Sequence, residues 1–570
     1  MCLTKLTTSL TFILLLVVAI LVIISIALNA ATLGIINKRF NEIKNENGQT
    51  TSETTIPTGP ITTSTVRPPI TFNLADSIRI EDLMYHLNEL QRIANNTGNT
   101  RAIGTRGFTE TVNYIYNYLV NNVATLEVFR EQVPIQNFTI KGDPILILSI
   151  NDSNETFTYS TNLARSDFTY VNYSAPINLT KFNLVVVPNN GCNDLDWQNV
   201  RGRAALVVVG GTCTSAEKGE LANKYNASAL LYYNHGLTTT SLAPVIIRLR
   251  QANKLPALFL SYAAGQKLVN VANLTNVNIW LQVEREDYPS FYVENICADT
   301  KEGNINETIV VGGHSDSVPV GPGINDNGSG TMAILVLATN LARLYQSGNY
   351  TKYRYRVRFC WWAAEEIGLV GATYHAQQAK NSSVPPGQQL QDYLINLNYD
   401  MLGSPNFMLG IYDGSTAKPG TPQSAINGSI RISEAFCNWF NTKNLPWDYT
   451  DFSGRSDYGP FLAAGIVAGG LFSGADETKT AEQRTKYEEK LGQGGLTGAI
   501  LDPCYHRACD TTDNINQLGY EKMVQAAAYM LEYLGQKDDL PTWLYPNGRQ
   551  MPRLPDDYFP NSDYFRDTNI

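Results

Sequence analysis

The chain has 570 residues, of which 43% are hydrophobic, and a formal net charge of −9. A chain of this length usually exceeds one hydrophobic core, so we expect at least two folded units. The composition excludes wholesale disorder, and the acidic balance argues against nucleic-acid binding while favouring cationic ligands.

The amino-terminal region contains a long apolar run. Residues 6–37 carry no charged side chain, and residues 10–31 are long enough to form a membrane-spanning helix. Because the run exceeds an ordinary signal core, we predict an uncleaved signal anchor behind a short segment 1–9, with a cleaved signal peptide as the alternative. Many Asn-x-Ser/Thr sequons follow, among them Asn137 and Asn349, so we expect a lumenal or extracellular body, or a secreted one if the run is cleaved.

Residues 49–70 are rich in Thr, Ser and Pro, which is typical of an extended stalk. Folded structure is expected from residue 72. Ile80, Leu83, Leu87 and Leu90 recur at helical spacing, and a second helical pattern follows near Tyr114. We assign residues 72–142 to the first part of the principal domain.

Residues 143–288 change in texture to short β-rich runs broken by turns, at 184–187, 204–209, 229–233 and 255–260. The order of two strands, a helix rich in Lys and Ala, and the segment Leu-Pro-Ala-Leu-Phe resembles the protease-associated (PA) domain. The resemblance implies an inserted β-rich PA domain. An unrelated β-rich insertion is the alternative.

From residue 308 onward, apolar strands alternate with helical segments, which predicts an α/β fold with three α/β/α layers around a mixed sheet. Strands are predicted at 308–313, 353–362, 394–399 and 466–472, and a helix at 330–345. We assign residues 289–537 to this domain and residues 538–570 to a surface or disordered tail. In open α/β sheets the functional site lies at the carboxyl ends of the strands.

Polar residues gather at those predicted strand ends. His314 directly follows a strand, and Asp316 is placed to accept a hydrogen bond from its other ring nitrogen, as metal sites require. Glycines around Asp326 allow a tight turn, and its two carboxylate oxygens could bridge two metal ions. Glu365 and Glu366 end another strand, so one acid could bind metal while the other handles protons.

Two further segments complete the set of candidate ligands. Asp400 ends a third strand, and His506 follows Tyr505 in a loop bounded by Cys504 and Cys509, which are close enough for a disulfide. Each residue taken alone could equally be a structural residue of a turn, a helix cap or a loop. Their combination in one α/β unit indicates a metal site.

Seven cysteines remain when Cys2 is set aside, so at least one is unpaired within the chain. Cys192 and Cys213 could form a second disulfide. Cys360 lies in an apolar run, and we predict that it is the free thiol. No partner can be assigned to Cys297, Cys360 or Cys437 from the sequence.

These segments resemble, in order, the M28 family of zinc aminopeptidases, over residues 72–537. The resemblance implies two zinc ions per chain. One zinc would be held by His314, Asp326 and Asp400, and the other by Asp326, Glu366 and His506.

The resemblance also implies the roles of the remaining site residues. Glu365 would be the general base toward a water that bridges the zinc ions, and Tyr505 would stabilise the oxyanion. Asp316 is counted with the catalytic residues because it orients His314. Arg455 matches a substrate contact. The implied activity is hydrolysis of the N-terminal peptide bond of peptides or proteins, with the membrane contacted through the N-terminal segment and no nucleic-acid partner.

Three alternatives remain open. A membrane-anchored enzyme of the glutamate carboxypeptidase type is disfavoured because only about sixty residues follow His506, too few for its helical dimerisation domain. A single-zinc glutaminyl cyclase is disfavoured because the chain has all five candidate ligands for two metal ions. A non-catalytic receptor ectodomain would be expected to have lost a ligand or Glu365. Asn327 lies in a sequon within the metal loop, and we predict that it carries no glycan.

Overall fold

The structure is a computed structural model, and it describes residues 73–550 except 212, 238–240, 252, 273, 275–276, 382 and 419–420. The predicted segment 1–9, signal anchor 10–31 and stalk 49–70 lie outside the described residues, as do residues 551–570. Within the described part of the chain, no helix is both long enough and apolar enough to cross a membrane.

Strands and helices alternate along the described chain. The strands are β1 Leu126–Ile150, β2 Ser153–Thr156, β3 Phe168–Tyr170, β4 Ile177–Val186, β5 Ala204–Val208, β6 Ala229–Tyr233, β7 Ala257–Leu260, β8 Val277–Thr300, β9 Asn304–His314, β10 Tyr355–Trp362, β11 Tyr393–Tyr399, β12 Gly410–Asp413, β13 Asp448–Asp451 and β14 Val467–Phe472. The helices are α1 Ile80–Asn96, α2 Arg106–Asn122, α3 Ser215–Lys224, α4 Tyr262–Val271, α5 Gly330–Gln346, α6 Val370–Ala379, α7 Gln423–Thr442, α8 Tyr458–Ala463, α9 Ala481–Leu491, α10 Gln517–Gly535 and α11 Leu540–Leu544.

The principal domain is built on a mixed sheet in the order β13-β12-β14-β11-β9-β10-β8. Its central strands β14, β11, β9 and β10 run parallel, whereas β8 is antiparallel to β10 and β12 is antiparallel to β14. The carboxyl ends of the four parallel strands therefore meet along one edge of the sheet.

Helices cover both faces of this sheet. Because successive strand residues point to opposite faces, Val311 of β9 packs in the large core with α1, α5 and α10, while Val310 packs in a second core with α6 and α8. The predicted stripe of α1 is buried as its spacing requires, with Leu83, Leu87 and Leu90 at 0% exposure. The three-layer α/β/α architecture predicted from the sequence is confirmed.

The inserted unit that is predicted to be a PA domain, residues 143–288 (the PA unit), has its own small sheet. Strands β4 to β7 are parallel neighbours, β3 is antiparallel to β7, and the sheet is flanked by two cores of apolar residues. The long strands β1 and β8 pair with each other over almost their whole length. Strand β8 also pairs with β4 at one end and with β10 at the other, so it joins the PA sheet to the principal sheet.

The segment predicted to be a surface or disordered tail begins with a helix whose apolar side chains are buried. Helix α11 buries Leu540 and Leu544 completely, and Tyr545 donates a hydrogen bond to the carbonyl of Leu394 at 2.7 Å. Residues 540–545 thus complete the core beside β11. Too few apolar residues occur in this segment for a helical repeat to be visible in the sequence.

The cysteine prediction is correct for two pairs and wrong for the free thiol. Cys192–Cys213 and Cys504–Cys509 are disulfides, but Cys360 is bonded to Cys297, and Cys437 is the free cysteine of the described residues. Cys297 and Cys360 lie directly opposite each other on β8 and β10, a pairing set by the sheet register and not by chain proximity. Three disulfides indicate an oxidising compartment.

Candidate metal centre

The predicted ligands meet at the carboxyl edge of the principal sheet. His314 is the last residue of β9, Asp400 directly follows β11, and Glu365 and Glu366 follow β10 by a few residues. Since β11, β9 and β10 are adjacent and parallel, their ends bring these side chains together. The loops that carry Asp326 and His506 close over the same edge.

The first group of ligands comprises His314, Asp326 and Asp400. His314 Nε2 lies 3.4 Å from Asp326 Oδ1 and 3.5 Å from Asp400 Oδ1. Asp400 Oδ2 accepts a hydrogen bond from Ser456 at 2.6 Å, whereas the buried Oδ1 has no hydrogen-bond partner among the described residues. One carboxylate oxygen is therefore held in place while the other faces the imidazole.

The second group comprises Asp326, Glu366 and His506. His506 Nε2 lies 3.1 Å from Asp326 Oδ2 and 3.2 Å from Glu366 Oε2. Glu366 Oε1 is buried without a hydrogen-bond partner among the described residues. The two groups share Asp326, with Oδ1 facing His314 and Oδ2 facing His506.

The donor set fits zinc. Imidazole nitrogens and carboxylate oxygens bind zinc at about 2.0–2.2 Å, so two donors of one tetrahedral site lie about 3.3–3.6 Å apart. The nitrogen–oxygen distances within the two groups run from 3.1 to 3.5 Å. An orphaned carboxylate oxygen in each group adds a lone pair that a cation would satisfy.

The electrostatics also favour a cation at the centre. Burial favours neutral imidazole, yet the charges of Glu365 and Asp400 raise the pKa of His314 well above its usual value. Burial likewise opposes the charge on His506, but Asp326 and Glu366 raise the pKa of His506 to about 10. Positive charge is stabilised at both histidines, where a metal ion would replace protons.

Asp316 lies beneath the first group and links two of the ligand segments. Its backbone carbonyl is the hydrogen-bond partner of His314 Nδ1 at 3.2 Å, and its Oδ1 lies 3.5 Å from the same nitrogen. The Oδ1 also accepts a hydrogen bond from the Glu365 amide at 3.1 Å. Its Oδ2 accepts from the Glu366 amide at 3.3 Å. The residue therefore holds the imidazole through its backbone carbonyl and the acidic pair through its fully buried carboxylate, whereas the sequence predicted a contact between the carboxylate and the imidazole.

The turn around Asp326 is held by residues that the sequence did not single out. Arg101 is completely buried and donates to the carbonyls of Ser315 at 2.6 Å and Gly323 at 2.5 Å. Asp510 accepts from the Asp326 amide at 3.0 Å, and burial raises the pKa of the Asp510 carboxyl to about 8. Arg101 is more than two hundred residues from this loop, so local patterns carry no signal for it.

The loop of His506 is closed by the Cys504–Cys509 disulfide, as predicted. The ring of Tyr505 stacks on that of His506 with centroids 3.9 Å apart. Burial, with the charges of Asp326 and Glu366, raises the pKa of Tyr505, while Arg455 opposes that rise. Tyr505 is thus a partly buried, protonated phenol, and the exposed Arg455 is near enough for its charge to act on it.

Glu365 lies against the first group, with Oε2 3.9 Å from His314 Nε2. Burial raises the pKa of Glu365 well above its usual range, against the opposing charge of His314. Asp457 is a further buried carboxyl at this site, and neither of its oxygens has a hydrogen-bond partner among the described residues. Burial raises the pKa of Asp457 well above its usual range, which favours the neutral acid.

The sequon at Asn327 is inaccessible. Its side chain is 0% exposed, its amide donates to the Tyr399 carbonyl at 3.0 Å, and its oxygen accepts from Gly330 N at 2.9 Å. A glycan on this nitrogen would require the loop to open. By contrast, the sequon residues Asn154, Asn178 and Asn349 are exposed.

Comparisons with known proteins agree with this site. Residues 295–531 match the model described as Peptidase family M28, and residues 180–268 match that of the PA domain. A probable leucine aminopeptidase 2 of Trichophyton verrucosum is 33% identical over 473 residues, covering 82% of this chain and 87% of the relative. An aminopeptidase of Pseudomonas aeruginosa is 32% identical over 464 residues, covering 80% of this chain and 81% of the relative.

A solved structure supports the fold. An aminopeptidase from an Aneurinibacillus species superposes with a TM-score of 0.54 at 19% sequence identity, covering 81% of this chain and 95% of the other. At that identity the likeness concerns the fold alone. The match to the M28 model spans both ligand groups.

Proposed function

The chain belongs to peptidase family M28 and is a metallo-aminopeptidase with a PA domain, and from this premise we propose that it works with two zinc ions. His314, Asp326 and Asp400 would hold one zinc, and Asp326, Glu366 and His506 the other. The observation that carries the proposal is the position of the Asp326 carboxylate, whose two oxygens face two different histidines. A single-metal site would not require that arrangement.

When bound, the zinc ions would acidify water and polarise the scissile carbonyl. The protein's own groups supply the proton transfers. We propose that Glu365 accepts the proton of the attacking water and passes it to the leaving amine, as one general base and acid. Its position beside His314 supports this role, and the raised pKa of its carboxyl makes it a stronger base toward the water.

Tyr505 is the proposed donor to the developing oxyanion. Its phenol remains protonated at neutral pH, since burial and the neighbouring carboxylates raise its pKa. A positioned O–H group directed at developing negative charge lowers the barrier more than it stabilises the substrate. Arg455 is exposed beside it and is proposed to contact the substrate.

The acidic side chains explain a preference for the amino end. A free α-amine is a cation near neutral pH, and the carboxylates around the site favour such a group. The proposed reaction is the release of single residues from the amino termini of peptides or proteins. The names of the relatives make leucine the first residue to test.

We also propose that residues 10–31 anchor the protein, with the catalytic domain outside the cytosol. The uncharged apolar run and the exposed sequons support this location, as do the three disulfides. Alkaline carbonate extraction of membranes tests it. The protein should remain in the membrane pellet, and release into the supernatant would indicate cleavage or no anchor.

The proposed activity is tested with leucine-4-nitroanilide and with pairs of dipeptides that have the same sequence but a free or an acetylated amino terminus. Release should occur only from free amino termini, should stop after treatment with a chelator and should return with zinc. Failure to release the chromophore at any zinc concentration would contradict the proposed activity. Cleavage of amino-blocked peptides from the carboxyl end would replace it with a carboxypeptidase.

A further inference from the structure

The PA domain makes direct contact with the loop that carries Glu365 and Glu366. Arg248 Nη1 donates a hydrogen bond to the carbonyl of Glu366 at 2.5 Å. Arg250 Nη1 donates to the carbonyl of Gly368 at 3.3 Å. Two guanidinium groups of the PA domain thus donate hydrogen bonds to the backbone of the loop that carries Glu365 and Glu366 in the principal domain.

This loop has a conformation that requires support. Ala364 and Leu369, which bracket it, have φ angles of 61° and 59°. A left-handed backbone is unfavourable for residues with a side chain at Cβ, and it persists where the surroundings hold it. The loop is therefore expected to relax when its contacts are removed.

The principal domain supplies the support on one side. Asp316 accepts hydrogen bonds from the amides of Glu365 and Glu366. Asn295 accepts from the Ala363 amide at 2.8 Å and donates to the Gly371 carbonyl at 3.0 Å. The amides are thus held from within the principal domain, while the carbonyls of Glu366 and Gly368 are bound from the PA domain.

The two arginines extend from a fixed piece of backbone. Asn172 pairs with this segment on both sides of Arg248, accepting from Leu249 N at 3.0 Å and donating to the Ile247 carbonyl at 2.8 Å. Leu249, between the arginines, is 2% exposed. Arg250 is further held by an ion pair with Glu220 at 2.7 Å. The guanidinium positions are therefore set by the fold of the PA domain.

A second contact lies near the predicted substrate residue. Glu217, on helix α3 of the PA unit, forms an ion pair with Lys418. A Cβ at Gly454 would lie 3.2 Å from Lys418 Nζ, and Gly454 directly precedes Arg455. The PA domain therefore contacts the principal domain through charged groups at a second place, next to the segment of Arg455.

We propose that Arg248, assisted by Arg250, is a positioning residue through which the PA domain sets the geometry of Glu365 and Glu366. The inference rests on the proposed function for its turnover measurement alone. Loop order and zinc affinity report on it independently.

The test compares full-length wild-type protein with Arg248→Ala, Arg248→Lys and Arg201→Ala. Arg201 is an exposed arginine of the PA domain and serves as the matched control. Three quantities are measured: hydrogen exchange in peptides covering residues 363–371, zinc affinity by competition with a chelator, and kcat and KM for leucine-4-nitroanilide.

Arg248→Ala should speed exchange in the loop, weaken zinc binding about tenfold and lower kcat about tenfold, the scale of one charge-assisted hydrogen bond, with KM within about twofold. Arg248→Lys keeps a charged donor and should recover part of each change, and Arg201→Ala should match wild type. The thermal midpoint of Arg248→Ala should also match, because the side chain is exposed.

If Arg248→Ala matches Arg201→Ala in loop exchange and zinc affinity, the positioning role is wrong. If Arg248→Ala fails to fold, Arg248→Lys decides by the same two quantities, and equality with wild type overturns the proposal. Wild-type protein that does not release the chromophore would contradict the aminopeptidase mechanism. Exchange and zinc competition would still decide the role of Arg248.

Discussion

Replacing Asp316 with asparagine tests how the acidic pair is positioned. The carboxylate accepts hydrogen bonds from two successive amides, at 3.1 Å from Glu365 N and 3.3 Å from Glu366 N. Asparagine offers one oxygen and one NH₂ group, so one of the two amides would face a donor. The side chain is buried, and water cannot replace the lost acceptor.

The expected magnitude follows from that loss. A hydrogen bond to a charged group contributes about 1.5–3 kcal/mol, and each 1.4 kcal/mol corresponds to about a factor of ten. We therefore expect Asp316→Asn to lower kcat by about 10- to 100-fold. His314 Nδ1 keeps the Asp316 backbone carbonyl in this variant, but the segment of Glu366, a proposed zinc ligand, loses support, so zinc affinity should fall as well.

The assay measures kcat for leucine-4-nitroanilide at saturating zinc, with zinc affinity determined by chelator competition. Asp143→Asn, at an exposed position, is the control for loss of one negative charge. A kcat within about twofold of wild type, together with unchanged zinc affinity, would refute the positioning role of Asp316.

Three further predictions concern stability and metal binding. Arg101→Met removes donors from three buried carbonyls and should destabilise the fold by about 3 kcal/mol, measured as a lower urea midpoint; an unchanged midpoint would contradict this. Burial, with the charge of Arg343, lowers the pKa of His86 to about 4, so the unfolded chain binds a proton there that the folded chain does not, between about pH 6.5 and 4. The free energy of unfolding is therefore not reduced by His86 above pH 6.5, and it falls toward pH 4, by about 2 kcal/mol at pH 5. His86→Gln should lose less stability between pH 7 and pH 5 than wild type does, and equal losses would refute this prediction. Because the carboxylates raise the pKa of His506 to about 10, zinc binding should release protons and strengthen from pH 6 to pH 9, and an affinity independent of pH would count against this ligand.

The position of a candidate ligand could be predicted from the sequence where that residue follows a strand. His314 and Asp400 end apolar runs whose length and β-branched character define strands, and parallel strands bring such ends together. The same rule placed Glu365 and Glu366. Periodicity and strand-end position are local signals, so they can be read without knowledge of the pairing.

Contacts between distant parts of the chain were not predictable in this way. Cys297 and Cys360 are separated by 63 residues and become neighbours only through the register of β8 and β10. Arg101 looks like an ordinary turn residue, because its partners are carbonyls from another part of the chain. The choice of Cys360 as the free thiol failed for the same reason.

The PA domain shows a similar limit at a larger scale. Its strands could be predicted from short apolar runs, and residues 180–268 match the PA model. The approach of Arg248 to the Glu366 carbonyl depends on how β8 joins the two sheets. The contact between Arg248 and the loop of Glu365 and Glu366 is therefore visible only in three dimensions.

The central claim is most directly tested by measuring bound zinc and turnover together in Glu365→Gln. Glutamine preserves the size of the side chain but cannot accept a proton from water at neutral pH. Glu365→Gln should bind two zinc ions per chain, as wild type should, and its kcat should fall by at least about 100-fold. Near-normal turnover would contradict the role of Glu365 as the base. One zinc per chain in active wild-type protein would contradict the two-metal site.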